Sequence, residues 1–474
     1  MIEPFPFIGL LLFSLAAGIV VTMISEETHS RRVGIIFSGF AMLIAFYMLY
    51  LGVTSGSINV SESYPYYIPT FGIQFLFQLT PVSFLLAFMA TIVAFVTILA
   101  GNIDREEERI ATSLILLFEF AAIGLFASSN LFLFFIFWDI GVIALFFMIY
   151  LLGSANRRRA AMKFIIYEIF ASLLLLFGII LIYFYTPVHS FNINYIATNA
   201  YSIPGNMQTL IFLLFFVAFL TNMPVFPMHL WLPEAHTEAS TQGSMLLSGI
   251  LTKFGGYGMV LLFTMLPIGQ AYSVYVAALA TVSAFYISFM LMVQNDIKRI
   301  IAYTTIVEMS IILFGICAVN TVGTAGAAYA MLAHGFAIAL LFLTAGSIKH
   351  IFAERDIRLL RGIVSNATST AYVLLTGVLA TTGIPLTAAF IGDILIFIGA
   401  VQAFSIYGAI PLVTIIMFGA YLYYVLNKSV FSAKEETSPV DYIGMPQKVG
   451  YAILLFFIFL FGLLPFVVLN FFNV

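Results

Sequence analysis

Apolar runs of about 20 residues recur along the chain between short polar clusters, and a helix of that length crosses a hydrocarbon layer some 30 Å thick. Breaking the chain at those clusters predicts fourteen spans, near 5–24, 33–51, 80–100, 110–128, 131–152, 164–185, 209–227, 246–266, 271–293, 300–319, 327–348, 371–404, 408–427 and 449–470. Stretches such as VGYAILLFFIFLFGLLPFVVLNFF show no alternation, so the pattern predicts helices and not a barrel. The seventh span (NMPVFPMHLWLP) and the twelfth (TTGIPLTAAFIGD) hold internal Pro and Gly, which predicts broken helices. Breaks at corresponding places in two halves suggest inverted repeats with the functional site at the break. The expectation is an all-α polytopic membrane protein forming a single transmembrane domain over 1–474. Its inverted five-helix repeats would run over 109–266 and 271–430, with peripheral helices in 1–100 and 449–474. Segments 52–79, 186–208 and 428–448 are the longest predicted loops.

Composition agrees with this pattern. The 474 residues are 62% hydrophobic and only 8% charged, with a mean hydropathy of +1.11, whereas a soluble domain carries roughly 25% charged residues. The single cysteine, Cys317, lies within an apolar run, so no disulfide framework or cysteine metal site is expected. The N-terminal stretch lacks a basic leader region and reads as the first span, not a removable signal. A net charge of −3 says little about partners.

Basic residues orient the helices, because Lys and Arg favour cytoplasmic loops. Fourteen spans put Arg31, Arg32, Arg105, Arg109, Arg157, Arg158, Arg159, Lys298, Arg299, Lys349, Arg355, Arg358, Arg361, Lys428, Lys434 and Lys448 on one side, sixteen of the eighteen. Segments 52–79, 186–208, 267–270 and 320–326 carry none. Both termini are therefore expected on the outer side.

A charge at the centre of a spanning helix costs roughly 2.5–3.5 kcal/mol. Six fall there: Glu119, Asp139, Glu168, Lys253, Glu308 and Asp393, joined by His334 and Asn222, with Lys163 near the basic surface. They occupy spans four to eight and ten to twelve, as a polar axis wrapped in apolar helices would. Such groups suit a relay for protons or cations. The blander account is that they pair to hold helices or a neighbouring subunit, and Lys163 could simply extend to the interface. His229 and His236 with Glu234 and Glu238 match no zinc spacing, and no metal is expected. Gly255, Gly256 and Gly258 read as a close-packing surface and not a phosphate loop. Asn59-Val60-Ser61 is a formal glycosylation sequon that decides nothing alone.

Over residues 110–400 the motifs resemble the antiporter-like membrane subunits shared by respiratory complex I, Mrp-type Na⁺/H⁺ antiporters and energy-converting membrane-bound hydrogenases. The resemblance rests on MHLWLPEAHTEASTQGSMLLSGILTKFGGYG, QNDIKRIIAYTTIVEMS, FFIFWDIGVIALFFMIYLLG, RRRAAMKFIIYEIFASLLLL and GIPLTAAFIGDILIF. The eleventh and twelfth helices are most similar to the complex I subunit called M or chain 4. The D-type subunit of Mrp antiporters and the corresponding hydrogenase subunit are near alternatives. The resemblance implies fourteen helices, H⁺ or Na⁺ as the ion, and other membrane subunits, including antiporter-like ones, as partners in a prokaryotic cell membrane. It implies no cofactor or redox centre in this chain and no nucleic-acid partner. It places Asp139 at the family's fifth-helix acid, Lys253 at its eighth-helix lysine, His334 at its eleventh-helix histidine and Asp393 at its twelfth-helix terminal residue. It departs at Asn222, where the family has a lysine paired with the fifth-helix acid, and at Glu168 and Glu308, where relatives carry neutral residues or His. Three readings follow: an ion-translocating subunit moving protons in concert with redox chemistry elsewhere, a structural subunit with an inactive half-channel at Asn222, and a stand-alone secondary transporter.

Overall fold

The computed structural model describes residues 6–68, 73–101, 105–431, 443–472 and 474. Residue 5 at the start of the first predicted span, the Arg105 side chain and Lys434 lie outside the described residues.

The chain opens with α1 (Phe7–Ile24) and α2 (Glu27–Ser55). Segment 52–79, predicted as loop, then forms an antiparallel hairpin, β1 (Val60–Ile68) with β2 (Ile73–Leu79). The hairpin serves a helix distant in sequence. Pro6, at the N-cap of α1, offers no capping side chain, and the Glu62 carboxylate accepts from Ile8 N at 2.7 Å and Gly9 N at 2.9 Å. Tyr64 donates its hydroxyl to the same carboxylate at 2.7 Å.

Next come α3 (Pro81–Ala100), α4 (Glu108–Ala127), α5 (Leu131–Leu152) and α6 (Arg157–Tyr185). Helix α3 starts on a capping box between Thr80 and Ser83, with proline at its first position. A short α7 (Ile193–Asn199) lies within the predicted loop 186–208 and precedes α8 (Gly205–Asn222). Pro224 and Pro227 stop α8 in mid-bundle, and the chain resumes as a 3-10 turn, Met228–Trp231, and α9 (Leu232–Glu238). A carbonyl freed by the break, Thr221 O, accepts from Trp231 Nε1 at 2.9 Å, and Phe226 N donates to Ser283 Oγ at 3.0 Å.

One span runs over Thr241–Met265 as α10 (Thr241–Leu246), a π turn (Leu247–Leu251) and α11 (Thr252–Met265). Then follow α12 (Ile268–Leu291), α13 (Ile297–Ile316), α14 (Thr321–Phe352), α15 (Ile363–Asn366), α16 (Thr368–Thr381), α17 (Ala388–Phe404), α18 (Ile410–Ser429), α19 (Met445–Leu463) and α20 (Phe466–Leu469). The second break separates α16 from α17 around Gly383, at φ +66°, and Pro385.

Among the described residues, thirteen helices are long and apolar enough to cross a membrane when Ala388–Ser429 counts as one. That stretch folds back on itself. Ser405 has φ +53°, a 3-10 turn follows at Ser405–Ala409, and a Cβ on Gly408 would lie 2.4 Å from the Ala400 carbonyl carbon. Gly399 packs on Gly323, just past one end of the spanning helix α13, while Tyr421 OH donates to Gln294 O at 3.1 Å, beside its other end. Helix α17 therefore leads to one face and α18 returns to the other, which divides the stretch and gives the predicted fourteen spans. Helices α3, α13 and α14 and the Thr241–Met265 span are buried almost throughout, whereas α1, α2, α6, α12 and α19 each leave much of their surface exposed. The helix ends and connections that hold Arg and Lys gather on one face of the bundle, called the basic face below.

Candidate functional site

The π turn delivers Lys253 into the centre of the bundle, where it is fully buried. Its Nζ donates to Ser248 O at 2.5 Å and to Thr252 Oγ1 at 3.4 Å, and meets His334 Nδ1 at 2.5 Å. A neutral His334 that accepts at Nδ1 carries its proton on Nε2. That nitrogen lies 3.8 Å from Glu308 Oε2. Glu308 and Asp393 line one small cavity with Ala330, Thr381, Ala389 and Phe418. Helices α11, α14, α13 and α17 thus place Lys253, His334, Glu308 and Asp393 in a row. Asp393 is not terminal on its helix but stands just after the break, and a Cβ on Gly383 would meet its Oδ2 at 2.4 Å.

Towards the basic face the row continues through residues the sequence did not single out as relay groups. His236 Nε2 bonds Ser248 Oγ at 2.7 Å, and Thr305 Oγ1 donates to the same hydroxyl at 3.2 Å. The imidazole lies flat on Phe342, with ring centroids 4.4 Å apart. Beyond it a pocket with Ser154, Ser240, Thr241, Ser347 and Lys298 in its lining opens on the basic face. Lys298, counted in the sequence among loop residues, is buried at 3% exposure and donates to Ala239 O at 2.7 Å. The usable signal was the proline-bounded break, which returns the chain beside the next helix; a histidine and a serine alone in an apolar helix carry no pattern.

A second group gathers where α5, α6 and α8 meet. Asn222, expected to stand beside Asp139, instead donates its Nδ2 to Glu168 Oε2 at 3.1 Å and accepts the Gly255 N–H at Oδ1, 2.8 Å. The reason is close packing: a Cβ on Gly255 would lie 2.6 Å from Phe219 O and 2.7 Å from Met223 N, so α11 presses on the end of α8 and its backbone N–H reaches the amide. Asp139 Oδ1 accepts from Ser172 Oγ at 2.5 Å.

The structure does not tie the remaining candidates to the row. Glu119 is fully buried and faces Ser38 of α2. Lys163 is half-buried and paired with Glu234 at 2.7 Å. Outside the spans, Glu238 at the end of α9 is partly buried, which would raise its pKa. Bonds from Ser154 Oγ at 2.6 Å and Asn156 N at 2.9 Å outweigh this and hold it below the ordinary carboxylate value. Among the described residues, no three His, Cys, Asp or Glu side chains are grouped so as to hold a metal.

Fold and site define a polytopic helical membrane protein whose core is lined by titratable groups. Residues 128–422 match the family described as NADH:quinone oxidoreductase/Mrp antiporter, TM, and the chain belongs to that family. It is 33% identical over 395 residues to NADH-quinone oxidoreductase subunit M of Rickettsia felis, covering 81% of this chain and 80% of the relative. It is 31% identical over 415 residues to F(420)H(2) dehydrogenase subunit M of Methanosarcina mazei, covering 85% and 83%. The fold matches a chain of respiratory complex I from Thermus thermophilus with bound NADH, with a TM-score of 0.89, 23% identity, and 98% and 97% of the two chains covered.

Proposed function

We propose that this chain is an ion-translocating, antiporter-like subunit of a multisubunit respiratory or Mrp-type membrane complex, and that protons move along its central row while redox chemistry proceeds in other subunits. The observation that carries this reading is the contact series His236, Ser248, Lys253, His334 and Glu308, which ends at the cavity that Glu308 shares with Asp393. Burial of these groups has no packing benefit that apolar residues would not give better. The ion is a proton: Lys253 and His334 present nitrogens, while a hard metal cation seeks a shell of oxygens. Residues 109–266 and 271–430 act as two repeats, each with one broken helix. The basic face is cytoplasmic, so both termini lie outside a prokaryotic cell membrane, and related membrane subunits flank the exposed apolar helices.

Lys253→Ala in the assembled complex tests the reading. A positioned proton-transfer group contributes at least about a hundredfold to rate, so coupled proton transport should fall to background while the complex still assembles. Undiminished transport in that variant would end the proposal.

A further inference from the structure

The group at α5, α6 and α8 holds two carboxylates and, among the described residues, no ion pair involving either. Glu168 is fully buried with Oε1 unpartnered. Ser172, which donates to Asp139, lies one helical turn beyond Glu168 on the same face of α6, so the two acids are neighbours. Each has one neutral donor: Asn222 Nδ2 for Glu168 and Ser172 Oγ for Asp139. The Asn222 amide cannot turn over freely, because the Gly255 N–H holds its Oδ1.

We propose that Asp139 and Glu168 form a carboxylate pair that binds a single proton between them, with Asn222 and Ser172 as positioning residues. Two ionised carboxylates side by side in a low-dielectric site repel strongly, and neutral donors offset only one such charge. Two protonated carboxyls would waste both donors, which bind an anion better than a neutral acid. One proton and one negative charge satisfy the site, and equal provision of donors lets the proton rest on either residue. Its transfer breaks the O–H bond on one carboxyl as an O–H bond forms on the other, with no change in electrons. A metal cation fits poorly, since Asn222 turns an N–H and not an oxygen towards Glu168.

Among the described residues no cation pairs with either acid, and Lys253 of α11, two residues before Gly255, turns its Nζ to Ser248 O and His334 Nδ1. On the basic-face side, Lys163 is paired with Glu234 at 2.7 Å, and His229 of the 3-10 turn is buried with Nδ1 unpartnered. Glu119 of α4 faces Ser38 of α2. The proposal rests on the transport reading only in taking the ion to be a proton.

Infrared difference spectroscopy of the purified complex, titrated with pH, tests it through the carboxyl C=O bands. Asp139→Asn should move the titration midpoint of the Glu168 band by about 1 pH unit or more, the mark of coupled sites. An identical midpoint in the two proteins overturns the pair. Ser172→Ala, which keeps both carboxylates, should shift intensity from the Glu168 band to an Asp139 band, and unchanged bands overturn it. Loss of the protonated band on adding Na⁺ at fixed pH would show a metal-cation site and also overturn it. Proton transport is measured separately on the same variants: a coupled titration with unimpaired transport rejects the transport role of this half and leaves the proton pair standing.

Discussion

At the scale of single residues, the cost of placing charge in an apolar bundle decides which side chains matter. Asp139, Glu168, Lys253, Glu308 and Asp393 stood out because charge in an apolar run is costly, and the structure buries or half-buries each. Which groups they meet depends on helix rotation and on contacts of the Gly255 kind, which a one-dimensional pattern does not encode. Asn222 shows this best: its place before the broken helix is legible in the sequence, but its partner is Glu168 and not Asp139. A prediction at this scale concerns Glu238, whose carboxylate ties α9 to the α5–α6 turn. Its native pKa lies below the ordinary 4.5, so the tie contributes stability fully above that value and loses it as pH falls through the native one. Glu238→Gln should therefore lower the melting temperature of the complex near neutral pH, and the difference should vanish in acid. A gap that is the same at both pH values would contradict the assignment.

At the scale of elements, proline and glycine announced both broken helices, while two other devices escaped the sequence. The π turn before Lys253 has no composition of its own, since Leu247–Leu251 reads as ordinary helix. Hairpin β1–β2 is not legible in the sequence because its purpose is distant: Glu62 caps a helix at Ile8, 54 residues earlier in the chain. The second break carries the sharper prediction. Gly383 combines φ +66° with a space that a Cβ would share with Asp393 Oδ2 at 2.4 Å. Gly383→Ala should cost about 1–3 kcal/mol from the backbone alone, displace the Asp393 carboxylate and depress proton transport. Gly205→Ala, where a Cβ meets open space, is the matched control. Equal melting temperatures and transport in the two variants would show that the break tolerates a side chain.

At the scale of the whole molecule, the hydrophobic pattern and the distribution of charge are two readings of one arrangement. Apolar runs count the spans, and basic residues cluster on one face only if that count is right; an odd error would have put Arg157–Arg159 and Lys298–Arg299 on opposite sides. The fold-back at Ser405 is what makes the count even, since a straight Ala388–Ser429 helix would have left thirteen spans and the two termini on opposite faces. Reporter fusions decide between these. An enzyme active only outside the cytoplasm, fused at the N-terminus or after Val474, should be active at both ends, whereas the same reporter inserted after Asn156 should be silent. Activity at one terminus alone would require an odd number of crossings, turn α18 the other way, and remove the geometric basis for two broken helices meeting one central row.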